Sequence, residues 1–170
     1  MSLTSLGSLL AFDNIVAALA LAPLCRNRVQ FLRLIAWFAA VEAMAPVAGV
    51  LLQPHPQSLL AGGWVAAAIV MTLGLSLLGL ASARRSTAFA ERLASGGWPT
   101  AMLAIVLGLD NLIAGAGLPL SSAALCGAAS AGAVVAACLV GRAIGLRLTL
   151  QARTVVCGIL LVTAGAMTWA

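Results

Sequence analysis

The 170-residue chain contains no lysine and no tyrosine, a single histidine and only four acidic residues. Charged residues make up 8% of it and hydrophobic ones 63%, with a mean hydropathy of +1.13. A soluble domain of this length needs a charged surface, and this chain lacks the residues to build one. The one histidine, His55, lies in the polar break "QPHPQ". No Ser-His or Cys-His set therefore exists inside an apolar run, which argues against a membrane enzyme. The four cysteines, Cys25, Cys126, Cys138 and Cys157, form no CxxC and read as small packing residues.

What remains is apolar sequence in runs long enough to cross a bilayer, which takes about 20 residues each. Lipid leaves the backbone only helices or a closed barrel, and the continuous Leu/Ala/Val runs lack the alternation of barrel strands. The expected fold is all-α, a polytopic membrane protein. Six spans are expected near 3–24, 30–52, 58–81, 98–119, 121–141 and 153–170. The first has no basic segment before it and is expected to be retained rather than cleaved as a signal peptide.

The nine arginines fall in three trios: Arg26, Arg28 and Arg33; Arg84, Arg85 and Arg92; Arg142, Arg147 and Arg153. Each trio occupies an odd-numbered connection. Positive residues stay cytoplasmic, so both termini are expected to face outward. The isoelectric point near 10.3 thus reflects membrane orientation and not nucleic-acid binding.

"LAFDNIVAALAL" (10–21) and "LGLDNLIAGAGL" (107–118) share an Asp-Asn pair within an apolar run. The spans that follow also align, "AVEAMAPVAGVLL" (40–52) with "AASAGAVVAACLV" (128–140), which sets Glu42 opposite Ser130. Three spans followed by three make an inverted-topology repeat, a ground plan of secondary transporters with a midplane site. The expected organisation is a first three-helix repeat over 1–81, a cytoplasmic linker over 82–97 and a second, inverted repeat over 98–170.

Of the acids, Glu91 belongs to the arginine-bearing linker. Asp13, Glu42 and Asp110 lie in mid-span, where each costs about 2.5–3.5 kcal/mol on insertion scales. No arginine or histidine shares their depth, so the missing positive partner is expected to be a metal cation, protons, or both in turn. Asn14 and Asn111 add amide oxygens. Pro46 lacks an N–H and so frees the carbonyl of Glu42, four residues earlier. Carboxylate, amide and carbonyl oxygens suit a hard divalent cation. The two Asp-Asn helices are expected to cross near the midplane, with Asp13 and Asp110 face to face and Glu42 beside them. Gly108, Gly115 and Gly117, with Ala17 and Ala18, would permit that approach.

At these residues the chain resembles the MntP-type manganese exporters of bacteria, within the wider LysE-like transporter superfamily. The similar stretches are the Asp-bearing first span, "FAAVEAMAPVAG" (38–49), "LGLDNLIAGAGL" (107–118) and "LVGRAIG" (139–145). The Asp-Asn pairs are similar to those of TerC-like metal exporters, where MntP-type chains usually have Asp-Ala. The resemblance implies a multi-pass protein of the bacterial inner membrane that is not an enzyme and has no resident cofactor. It implies gradient-driven export of Mn²⁺ or a similar divalent cation, with the membrane acids falling on Asp13, Glu42 and Asp110. The expected metal set is Asp13, Asn14, Glu42, Asp110 and Asn111, supported by Pro46 and Ser130, with protons as the coupling ion. The alternatives are a transporter for a small organic solute such as an amino acid, or an exporter of another metal. Homo-oligomerisation is left open.

Overall fold

The computed structural model describes residues 12–52 and 94–169, together with 71, 72, 75 and 92. Most of the expected third span and of the linker lies outside the described residues, as does the first part of the expected first span. So do the side chains of Asp13 and Asp110, whose backbones are helical.

Every regular element among the described residues is helical. These are α1 (Phe12–Leu21), a 3-10 turn (Ala22–Leu24), α2 (Arg28–Leu52), α3 (Trp98–Leu107), α4 (Leu109–Gly115), α5 (Leu120–Gly145) and α6 (Leu150–Trp169). Two of them, α2 and α5, have 25 and 26 residues and are apolar enough to cross a membrane. At 1.5 Å per residue they are about 37 and 39 Å long. Their outer faces carry exposed large apolar side chains, among them Leu32, Met44, Leu51, Leu125 and Leu139. In water such a surface would be a liability; against acyl chains it needs no cover.

The helix ends differ from the expected spans in instructive ways. The fourth span, expected as one helix over 98–119, is two. Gly108 interrupts it with φ −80° and ψ −3°, and Pro119 starts α5 after a turn that follows Gly115. The fifth helix runs past its expected end at 141 to include Arg142, and the sixth begins at Leu150, three residues before its expected start at Arg153. Apolar composition alone does not mark those ends, because the arginine stems continue the helix while their head groups leave it. Arg142 donates to the carbonyl of Cys25 at 3.5 Å and lies over the Phe31 ring, 4.6 Å from its centroid. Arg153 donates to the carbonyl of Pro23 at 3.2 Å. Two arginines from the second half thereby satisfy carbonyls left open where α1 ends.

The buried centre is α1. Ala17, Ala18, Leu21 and Ala22 are fully enclosed, and α1 packs chiefly on α5 and α6. The other main contacts join α2 to α5 and to α4. Glycines set the closeness of the second of these seams. A methyl added at Gly115 would overlap the backbone of Pro46, and one at Gly49 would overlap the carbonyl of Leu112. The small residues of the fourth span therefore admit α2, not α1 as their spacing suggested. Gly108 likewise abuts Val41 of α2, and among the described residues Gly117 approaches Ala114 of its own segment.

Candidate functional site

Glu42 lies 14 residues into α2, about 21 Å along the helix, close to its middle. It is fully buried. A carboxylate in such a place persists only if other groups replace its water shell.

Three side chains from three other helices do so. Asn14 of α1 donates from Nδ2 to Glu42 Oε1. Asn111 of α4 donates from Nδ2 to both carboxylate oxygens, at 2.9 Å each. Ser130 of α5 donates from Oγ to Oε2. Asn14 and Asn111 are themselves buried, and Ser130 partly so. Each oxygen of Glu42 thus accepts two hydrogen bonds, all from neutral groups.

The backbone explains how the four meet. The glycine-tight seam between α2 and α4 brings Asn111 alongside Glu42. Gly127 does the same for α5. A methyl there would come within 2.6 Å of the Ala43 carbonyl oxygen and 3.2 Å of the Glu42 carbonyl oxygen. Ser130 is three residues further on, nearly one turn along the same face. The carbonyl freed by Pro46 accordingly rests against Gly127 of α5. Pro46 itself is buried inside α2 and forms the floor on which Gly115 sits.

Of the residues expected at the site, the structure brings together Asn14, Glu42, Asn111 and Ser130, and places Pro46 one turn away on α2. The two Asp-Asn helices meet through their asparagines across Glu42. The side chains of Asp13 and Asp110 lie outside the described set. Among the described residues no three of His, Cys, Asp and Glu cluster. Sequence reading ranked Ser130 as a support only, on its alignment opposite Glu42; its contact with the carboxylate gives it a place beside the asparagines.

The arrangement presents one carboxyl group and three small polar ones, all able to offer oxygen, in an otherwise apolar interior. That is a donor set for a hard cation. The sequence model of one family, Mntp, described as "Putative manganese efflux pump", matches residues 25–168. The chain belongs to the MntP family. The match includes Glu42, Asn111 and Ser130, and begins after Asp13 and Asn14. No curated protein and no solved structure matches the chain. Membership in a manganese efflux family, with two long apolar helices, makes this a helical membrane protein of a transporter class.

Proposed function

We propose that this MntP-family chain exports a divalent cation, Mn²⁺ foremost, across the bacterial inner membrane through a site centred on Glu42. The observation that carries the reading is the convergence of Asn14, Asn111 and Ser130 on one fully buried carboxylate near the middle of a long apolar helix. Burying such a group is costly, and a structural role does not require it. Asp13 and Asp110, each adjacent in sequence to one of the asparagines, complete the proposed metal set.

The proposed mechanism is antiport. Three acids at one site cannot all stay ionised when it holds no cation, so the set is expected to share at least one proton, titrating as a group. A divalent cation favours the ionised forms and expels protons. Binding on one face and release on the other then lets the inward proton gradient drive metal out. Uniport driven by membrane potential would pull a cation inward and suits export poorly. Two inverted three-helix repeats, with both termini outside, supply the alternating access in this proposal. An organic zwitterion would call for a buried cation to face its carboxylate, and the described side chains that bond Glu42 are neutral.

The test is metal-sensitivity profiling of cells that lack their own exporters. Expression of the chain should restore tolerance to Mn²⁺ and lower cell manganese, and Glu42→Ala should not. Unchanged tolerance to every divalent metal would count against the proposal.

A further inference from the structure

We infer that Asn14 and Asn111 act in two states of the transport cycle: their amide N–H groups stand in for the absent cation by holding Glu42 when the site is empty, and the same amides turn to offer Oδ1 when a cation enters. The inference rests on the proposed transport reading of Glu42.

The orientation of the amides is the starting point. Both present nitrogen to the carboxylate: Asn14 to Oε1, and Asn111 to Oε1 and Oε2 at 2.9 Å. Ser130 also donates. All four bonds run to the Glu42 oxygens, which accept them, and neither amide is turned to accept. Glu42 is fully buried, and these side chains supply what water otherwise would. In this arrangement the Glu42 oxygens are satisfied by protein side chains alone.

It is also closed to cargo as it stands. A cation cannot approach an oxygen lined by N–H groups, because both are positive ends. Rotation about the Cβ–Cγ bond reverses each amide and puts Oδ1 where Nδ2 was. Asparagine can serve both states because it carries a donor and an acceptor on one planar group. Aspartate could serve the loaded state alone, and alanine neither. Ser130 fits the same logic, since a hydroxyl donates to the carboxylate or accepts toward a metal by rotating its proton.

The empty and loaded legs of the cycle can thus be separated. With aspartate at either position, a cation is still held, by more charge than before. The empty site then sets an added carboxylate against Glu42 with fewer donors, and its return is impeded. Purified protein in vesicles with Mn²⁺ on both sides reports exchange, which needs only the loaded leg. Vesicles with Mn²⁺ on one side report net transport, which needs both. Asn14→Asp and Asn111→Asp should retain exchange while net transport falls about tenfold or more. Asn111→Ala should lose both. A second readout is independent of turnover: infrared difference spectra on Mn²⁺ addition should show the asparagine amide carbonyl band shifting together with the carboxylate bands in the wild type. The proposal is overturned if the aspartate variants lose exchange and net transport in parallel, if they keep wild-type net transport, or if the carboxylate bands shift with no amide change. Absence of any Mn²⁺ exchange by the wild type would instead remove the transport reading on which it rests.

Discussion

Asn111 Nδ2 sits 2.9 Å from each of the two carboxylate oxygens of Glu42, a residue 69 positions earlier on another helix. One amide bridging both oxygens fixes the plane of the carboxylate. With Asn14 and Ser130 it gives each oxygen of the fully buried Glu42 two hydrogen bonds. Disturbing this centre should alter transport while leaving most of the helix packing in place.

Replacing Glu42 removes the only described acid at the centre. Glu42→Ala should abolish metal export, with the protein still found in the membrane at normal abundance. Deleting a mid-span acid makes insertion easier by about 2.5–3.5 kcal/mol on insertion scales, so loss of insertion would not explain loss of export. Glu91→Ala, in the linker, is the control and should export normally. The check is manganese content of expressing cells alongside immunoblots of membrane fractions.

The seam between α2 and α4 has no space for side chains. Gly115→Val should lower stability by roughly 1–3 kcal/mol or more, because the backbone of Pro46 must move. Gly132→Ala is the contrast: among the described residues nothing lies within 4 Å of its added methyl, and its helix propensity improves by about 0.5–1 kcal/mol. Thermal unfolding in detergent should show a lower midpoint for the first and an equal or higher one for the second.

Where α1 gives way to α2, burial pushes the Cys25 thiol up to about 11, with Arg142 pulling the other way less strongly. Its Sγ lies 3.5 Å from the Ala94 carbonyl oxygen, just before α3 begins at Trp98. The thiol should resist maleimide at pH 7.5 in the folded protein. The folded state keeps this proton more tightly than the unfolded state, whose thiol titrates near 9.0. Its contribution to stability is therefore intact below about pH 9 and falls as pH rises from there toward about pH 11. Unfolding followed across that range, with Cys25→Ser for comparison, checks the sign.

The arginine distribution predicts that both termini face outward. A reporter fused after Ala170 that is active only in the cytoplasm should be silent, and one fused within the linker should be active. A cytoplasmic signal at Ala170 would reverse the orientation.

Much of this was legible in the sequence because lipid restricts the choices. Composition alone dictated helices, and the acids stood out against an apolar background. The start of α3 at Trp98 follows a run visible in the sequence as polar. The split at Gly108 was not visible, since one glycine among many carries no signal until Val41 is seen against it. The partners of the small residues were also hidden. Glycine spacing shows that a helix can be approached closely, but not by which neighbour, and Gly115 receives Pro46 of α2. The alignment that set Glu42 opposite Ser130 anticipated a relationship between the two; that they touch depends on Gly127, whose missing side chain lets α5 lie against the Glu42 carbonyl.

The most direct test of the account is flux through purified protein in vesicles that enclose a pH dye, with Mn²⁺ on one side. The wild type should move Mn²⁺ with protons flowing the other way, and Glu42→Gln should abolish or uncouple that movement. Mn²⁺ flux by Glu42→Gln at the wild-type rate, with the same proton counterflow, would contradict a transport site at Glu42.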